Sequence, residues 1–222
     1  MIDLHREGEV FVLRMDADEN RFHPDFVRAF DAALDEVEGA EGPKALVTTG
    51  SGKFYSNGLD LDWMLGEGRG QTNEYLHGVL ALLGRVLIFP AITVAAVNGH
   101  AFGAGAQLVV AHDRSLMRSG RGYYCMPEID MKAPLHPGMT AILMARLPHQ
   151  TVHEMLTTGR RYTAEDAVAA RIVEQALPEN EVLPRAIEIA AGLAAKAHPV
   201  MRALKHGMYA PVLEAMERKL GE

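Results

Sequence analysis

The chain has 222 residues, of which 48% are hydrophobic and 23% charged, and its formal net charge is -7. Such a composition excludes a disordered chain and predicts a folded protein with one substantial core. The acidic excess leaves no basic surface of the kind that attracts nucleic acid, and no apolar run is long enough to cross a bilayer. We therefore expect neither nucleic acid nor a membrane as a partner. A single cysteine, Cys125, and an N-terminus without the apolar core of a signal peptide predict a cytoplasmic protein.

The first predicted elements are a hairpin, a helix and a buried strand. β-Favouring residues over 2–6 and 9–15, separated by a Glu-Gly pair, predict two short strands. Pro24 opens a predicted helix that continues to about Val37, because apolar residues recur there at helical spacing. The run KALVTT then predicts a buried strand that enters a glycine loop.

The segment KFYSNGLDLDW follows that loop. Its turn at residues 56–58 precedes a predicted helix start at Leu59, with Asp60 and Asp62 in the first turn. Because the first N–H groups of a helix have no partner within the helix, we expect free donors near Leu59.

The stretch from Ala91 to Asp130 predicts a strand, a glycine-rich turn, a helix, a further strand and an acidic loop. A helix is predicted before it over residues 73–89, and Pro90 ends that helix. The turn leads into a predicted helix over residues 104–112. Such a turn aims backbone N–H groups at a developing oxyanion, and the loop can bring one carboxylate to the same place.

The rest of the chain is predicted to be mostly helical. Prolines 127, 134 and 137 predict loops around Glu128, and Pro199 and Pro211 are expected to divide the tail into short helices. The other elements predicted here are short strands at 115–117, 123–125 and 172–177 and helices at about 138–146, 149–158, 163–169 and 181–197. The alternation of strands and helices predicts an α/β fold.

Several familiar motifs are absent. The glycines at 99, 103 and 105 do not have the order of a dinucleotide fingerprint, and Gly50-Ser-Gly-Lys lacks the spacing of a P-loop. His149 and His153 do not form a metalloprotease motif, so we expect no metal there. Ser56 has no nucleophile-elbow motif around it, and Cys125 is predicted to be a small buried residue, so neither is expected to act as a nucleophile. Glu128 is the better candidate, since burial beside Pro127 would raise its pKa and suit a proton shuttle; a loop cap or a surface carboxylate is the alternative.

Three segments together resemble the enoyl-CoA hydratase/isomerase (crotonase) superfamily over about residues 1–215: SGKFYSNGLDL, AAVNGHAFGAGAQLVVAHDRSLM and MPEIDM. The segments GKFYSNGLDLDW and HDRSLMRSGRGYYCMPEIDM are most similar to those of monofunctional, plant-type Δ3,Δ2-enoyl-CoA isomerases. The resemblance implies a crotonase-like (ClpP/crotonase) spiral of β-β-α units. It divides the chain into a core at 1–180 and a shortened C-terminal helical region at 181–222.

The resemblance also implies roles for particular residues. Two backbone N–H groups, here those of Leu59 and Ala104, hold the thioester oxygen of an acyl-CoA. Hydratases of the family use two glutamates, whose positions here are Gln107 and Glu128. Because glutamine cannot exchange a proton, the pair favours double-bond migration, which one carboxylate can perform, over hydration. The substrate-binding residues implied by motif position are Ser56, Asn57, Gly58, Asp60, Leu61, Gly103 and Gln107.

No cofactor or metal is expected, because CoA enters as part of the substrate, and the resemblance implies a homotrimer or a dimer of trimers. Two alternatives stay open at this point. One is another acyl-CoA reaction, such as hydration, dehydration or thioester hydrolysis, with Asp62, Asp130 or a histidine as a second group. The other is a non-catalytic acyl-CoA-binding protein.

Overall fold

A computed structural model of the protein describes residues 1–219. The strands in this range are β1 (Ile2–Glu7), β2 (Val10–Met15), β3 (Ala45–Gly50), β4 (Phe54–Ser56), β5 (Ile92–Val97), β6 (His100–Phe102), β7 (Arg114–Arg118), β8 (Tyr124–Cys125) and β9 (Gln175–Leu177). The helices are α1 (Pro24–Gly39), α2 (Leu61–Leu65), α3 (Thr72–Leu87), α4 (Ala104–Ala111), α5 (Glu128–Met131), α6 (Pro137–Arg146), α7 (His149–Thr158), α8 (Ala164–Ala169), α9 (Glu179–Ala191) and α10 (Pro199–Met216). A 3-10 turn covers Ala194–Lys196.

The strands form two sheets. The larger sheet has the order β1-β2-β3-β5-β7-β9, in which β1 pairs antiparallel with β2 and every other pair is parallel. The smaller sheet has the order β4-β6-β8 and is parallel throughout. The predicted hairpin and the predicted α/β class are confirmed. The small sheet was only partly expected, because β4 and β6 are three-residue strands between turns.

Both faces of the large sheet are covered by helices. Because strand side chains alternate, Val10, Val47 and Val94 face one way and pack with residues of α9. Their neighbours along the strands belong to the main core, which α1, α3 and α4 complete. The apolar run of β5 therefore belongs to a strand that is buried on both faces, as its sequence predicted.

A buried ion pair fastens α10 to the sheet. The Lys205 ammonium donates to the carbonyl oxygens of Phe89 (2.9 Å) and Ala91 (3.1 Å) and to Asp113 Oδ2 (2.7 Å). Asp113 Oδ2 also accepts the Thr93 N–H at 2.8 Å. Asp113 is therefore held by a lysine that lies 92 residues further along the chain.

Two predicted features of the tail are wrong. α10 runs unbroken through Pro211. Pro211 removes one backbone hydrogen bond of the helix, but buried residues on both sides of it, Tyr209 and Val212, hold α10 in place. The helix predicted over 181–197 ends at Ala191 and is followed by the 3-10 turn.

α9 belongs in space with the large sheet, because its Val182, Ala186 and Ala190 pack against β2, β3 and β5. The predicted boundary between 1–180 and 181–222 stays a prediction. Within residues 1–219, no helix combines the length and apolar character needed to span a membrane.

Candidate active site

Two glycine turns bring two backbone segments into contact where the small sheet ends. Gly58 follows β4 and Gly103 follows β6, with φ angles of 83° and 52° that L side chains rarely adopt. A Cβ on Gly58 would lie 2.7 Å from the Phe102 carbonyl oxygen and 3.0 Å from the Ala104 nitrogen. Glycine thus allows the first turn to lie directly against the second, so that Leu59 and Ala104 become neighbours.

The backbone N–H groups of Leu59 and Ala104 are free donors at this junction. Ala104 is the first residue of α4, and its N-cap, Gly103, provides no side-chain hydrogen bond. Neither N–H donates to a protein acceptor within residues 1–219. Because the first N–H groups of a helix carry partial positive charge, the junction is suited to hold a negatively charged oxygen.

Asn20, which the motifs did not identify, anchors the first turn. It is fully buried with a φ of 51°, a conformation that asparagine tolerates better than most residues. Its side-chain amide donates to the carbonyl oxygens of Phe54 (3.2 Å) and Tyr55 (3.1 Å). Its own carbonyl accepts the Ser56 hydroxyl at 2.7 Å, and that hydroxyl accepts the Gly58 N–H at 3.2 Å. The predicted binding residue Ser56 is therefore occupied with holding the turn.

The helix predicted to begin at Leu59 begins at Leu61 instead. Asp60 takes the N-cap position and accepts the Trp63 N–H at 3.1 Å. The Asp60 N–H donates to the Tyr75 hydroxyl at 2.9 Å. These contacts use Asp60 to fix the backbone and leave the Leu59 N–H outside the helix.

Glu128 reaches the junction from the third strand of the small sheet. It begins the single helical turn α5, where the sequence predicted only loops. Its Oε1 lies 3.7 Å from the position that a Cβ on Gly103 would occupy, and its Oε2 is buried with no hydrogen-bond partner in residues 1–219. Burial raises the pKa of Glu128 above the usual carboxyl range. Such a carboxyl group exchanges protons near neutral pH more readily than an ordinary glutamate.

Leu59, Ala104 and Glu128 lie on the wall of one cavity of about 440 Å³. Most of the remaining wall is apolar, which suits an aliphatic chain. The apolar side chains that line it include Leu61, Met64, Leu76, Met131, Leu135 and Met139. Polar groups line it as well, and these include Arg21, Asn57, Asp62, Thr72 and His136.

The predicted substrate-binding residues fall into two groups. Asn57, Leu61 and Gly103 line the cavity. The other four do not line this cavity within residues 1–219, and Asp60 lines a separate surface pocket instead; the four are Ser56, Gly58, Asp60 and Gln107. Gln107 is fully buried, and both of its amide atoms lack a partner. Contact of any of these residues with a substrate stays a prediction.

The other acid–base candidates are in contact with other protein groups. Asp130 lies against the Gly159 backbone, where its Oδ2 would be 2.8 Å from an added Cβ. Asp62 lines the cavity but is paired with Arg21 at 2.5 Å. His136 also lines the cavity, where its Nδ1 accepts the Gly138 N–H at 3.0 Å.

His112, which flanks α4, lies in the core. Its ring contacts Thr48 Oγ1 at 2.9 Å and the Leu108 carbonyl oxygen at 2.7 Å, and burial lowers its pKa to about 4. This histidine is therefore neutral at physiological pH and is occupied with structural hydrogen bonds.

An α/β fold with two free N–H groups and a buried, unpaired carboxylate on an apolar cavity is typical of enzymes that stabilise an oxyanion and move a proton. Comparison with known proteins agrees, since the Enoyl-CoA hydratase/isomerase family profile matches residues 5–221. The chain belongs to this enoyl-CoA hydratase/isomerase family, and its fold is the crotonase fold.

Some relatives are named isomerases and others hydratases. Enoyl-CoA delta isomerase 3 of Arabidopsis thaliana is 32% identical over 88% of this chain and 86% of its own length. A putative enoyl-CoA hydratase of Thermus thermophilus is 32% identical over 90% of this chain and 80% of its own length. The crystal structure of a probable enoyl-CoA hydratase, EchA3, from Mycobacterium tuberculosis superposes with a TM-score of 0.88. That structure is 26% identical and covers 97% of this chain and 91% of its own.

Proposed function

We propose that the protein is a Δ3,Δ2-enoyl-CoA isomerase with Glu128 as its proton shuttle. The observation that carries this proposal is the single unpaired carboxylate beside the two free N–H groups. The other position at which hydratases of this family have a glutamate is the neutral Gln107. One acid–base group is enough to move a double bond, whereas hydration also requires a water to be positioned and deprotonated.

The reaction begins with the thioester oxygen of a 3-enoyl-CoA held by the N–H groups of Leu59 and Ala104. The Glu128 carboxylate takes a proton from C2, and the electron pair left behind spreads over the thioester oxygen, C2 and C4. The two N–H groups stabilise the negative oxygen of this dienolate more than they stabilise the neutral thioester. The protonated Glu128 then returns the proton to C4, which yields the conjugated 2-enoyl-CoA and regenerates the carboxylate.

Glu128→Gln tests this assignment, because it keeps the shape of the side chain and removes its ability to exchange protons. Incubation with 3-hexenoyl-CoA, followed by the absorbance of the conjugated thioester, measures the isomerase activity. We expect the variant to lose a factor of about 10²–10⁴ in kcat. Equal activity in the two proteins would eliminate the role given to Glu128.

Enoyl-CoA hydration is the second candidate, because relatives of similar identity are named hydratases. Incubation of 2-enoyl-CoA in ¹⁸O-labelled water distinguishes the two reactions. A hydratase transfers label into a 3-hydroxyacyl-CoA, and an isomerase does not. Binding of CoA thioesters with neither product would favour a non-catalytic protein.

The remaining assignments belong to the same proposal. We infer an acyl-CoA thioester as substrate, action without a metal or redox cofactor, and a cytoplasmic location. Assembly as a homotrimer or a dimer of trimers rests on the family. Sedimentation equilibrium measures the assembly state, and a fluorescent fusion shows the location.

A further inference from the structure

Three side chains near the site have buried polar atoms that isomerisation by Glu128 alone does not use. They are Gln107, Tyr124 and Glu128. Each has a buried polar atom without a hydrogen-bond partner in residues 1–219. The atoms are Nε2 and Oε1 of Gln107, the hydroxyl oxygen of Tyr124 and Oε2 of Glu128. Buried polar groups are almost always paired, with protein or with an enclosed water, so these atoms require an explanation.

The strand β8 directs Tyr124 towards α4. Cys125, the next residue, faces the other way, since its thiol donates to the Gly159 carbonyl oxygen. Side chains alternate along a strand, so Tyr124 lies on the opposite side of the small sheet. There it pairs in register with Ala101, and its fully buried ring joins the core that includes α4.

Gln107 lies one helical turn after Gly103, the N-cap residue of α4 that Glu128 Oε1 approaches. The Gln107 N–H donates to the Gly103 carbonyl oxygen, so the two residues lie one above the other on the same side of the helix. Glu128 Oε1 faces that side at Gly103. Burial raises the pKa of Tyr124, and the charge of the nearby Glu128 carboxylate raises it further.

We propose that Tyr124 and Gln107 are positioning residues, which hold Glu128 Oε2 through one enclosed water molecule and leave Oε1 to face the substrate. This inference rests on the proposed role of Glu128 as the proton shuttle. A buried water needs two to four polar partners. Four buried atoms of three side chains are available to supply them.

The chemistry of the three groups suits both states of the shuttle. While Glu128 is ionised, the Tyr124 hydroxyl and the Gln107 NH₂ group donate towards the water and orient its hydrogens to the carboxylate. When Oε2 is protonated, its O–H group donates a hydrogen bond to the water, and the water donates one to Gln107 Oε1. An amide carries one donor group and one acceptor, so the same three residues satisfy both protonation states without a second ionisable side chain.

Other ionisable groups near Glu128 have to stay constant in a test of this proposal. Those on the cavity wall and on α5 and β8 are Arg21, Asp62, His136, Asp130 and Cys125. Asp62 is paired with Arg21, and His136 is engaged by Gly138. Substitutions that remove only the Tyr124 hydroxyl or the Gln107 amide leave all of these groups in place.

The test is a ¹³C NMR titration of the Glu128 carboxyl carbon in protein labelled at the glutamate carboxyl groups. The Glu128 signal is assigned by its loss in Glu128→Gln. Hydrogen bonds to the ionised form lower a carboxyl pKa, so their loss raises it. We expect Tyr124→Phe and Gln107→Met each to raise the Glu128 pKa by about one unit. The acidic limb of the kcat/KM profile for 3-hexenoyl-CoA should move in the same direction.

Tyr55→Phe is the matched control. Tyr55 is also a fully buried tyrosine, but its hydroxyl contacts Thr48 Oγ1 at 2.7 Å. It should leave the Glu128 pKa unchanged. Thermal unfolding of all variants shows whether they fold. If Tyr124→Phe and Gln107→Met fold and titrate like wild type, or if Tyr55→Phe causes the same shift, the proposal is overturned.

The titration separates this inference from the proposed function. If no isomerase activity is found but Tyr124→Phe raises the Glu128 pKa and Tyr55→Phe does not, the hydrogen-bonded unit exists and the reaction was assigned wrongly. If Glu128→Gln abolishes isomerisation while the titrations coincide, the shuttle is correct and the positioning role is wrong.

Discussion

Asp113 and Glu128 are two carboxylates near opposite ends of α4, and their surroundings differ: Asp113 follows the end of the helix, and Glu128 lies beside its N-cap, Gly103. Asp113 Oδ2 accepts hydrogen bonds from the Thr93 N–H and from Lys205. Glu128 Oε2 has no partner in residues 1–219. The first arrangement locks a helix onto a sheet, and the second leaves a carboxylate free to react. A buried carboxylate with a partner stabilises the fold, whereas a buried carboxylate without one is a candidate for proton transfer.

Removal of Lys205 should have the largest effect on folding. Lys205→Met leaves Asp113 without its cation at a site where the lysine side chain is only 9% exposed. We expect the free energy of unfolding to fall by about 3–5 kcal/mol, measured by urea denaturation. Lys205→Met combined with Asp113→Asn should recover part of the loss. A loss below about 1 kcal/mol would show that the pair contributes little.

Ala104→Pro should have the next largest effect, and on activity alone. Proline is tolerated at the first position of a helix, so the substitution removes the Ala104 N–H with little change in folding. We expect kcat to fall by about 10²–10³, which corresponds to about 2.7–4 kcal/mol of barrier. Ala104→Gly retains the N–H and serves as the control. Full activity of a folded Ala104→Pro protein would exclude this donor from the reaction.

Leu59→Ala should have a smaller effect, because it retains the backbone donor and changes only the side chain. We expect kcat to fall less than about tenfold, and KM for longer acyl chains to rise as apolar contact is lost. Steady-state assays with thioesters of several chain lengths measure both. A loss in kcat as large as that of Ala104→Pro would contradict a role through the backbone.

The smallest expected effect is on how the free energy of unfolding depends on pH, compared between wild type and Glu128→Gln. The pKa of Glu128 is raised from 4.5 in the folded protein, so its ionised form is disfavoured there. The wild type should therefore lose stability relative to Glu128→Gln as pH rises from 4.5 through the folded pKa, with a constant difference below that window. Chemical denaturation between acidic and neutral pH tests the sign, and a difference independent of pH would contradict it.

Much of the fold and of the site could be predicted because strong local signals coincide with it. The strand β5, the turn at Gly99 and the helix α4 follow from an apolar run, two glycines and small helix-forming residues. Gly58 and Gly103 carry their own physical requirement, which is a positive φ at a close approach of two backbones. The three groups proposed for catalysis therefore lie on the wall of one cavity, as expected.

The remainder depended on contacts between distant parts of the chain. Asn20 holds the first turn from 36 residues away, and Lys205 holds Asp113 from 92 residues away. The strand β6 lies between two glycine turns and is too short to show a pattern. Pro211 predicts a break, but buried residues on both sides of it hold α10 in place and the helix continues. Such partners become visible only when the chain has folded.

Isotope transfer tests most directly whether one carboxylate moves one proton from C2 to C4. A single turnover of 3-hexenoyl-CoA carrying deuterium at C2, followed by NMR of the product, shows where the label goes. The account predicts measurable deuterium at C4 with wild type and no product with Glu128→Gln. A C4 hydrogen that comes entirely from solvent, together with full activity of Glu128→Gln, would contradict it.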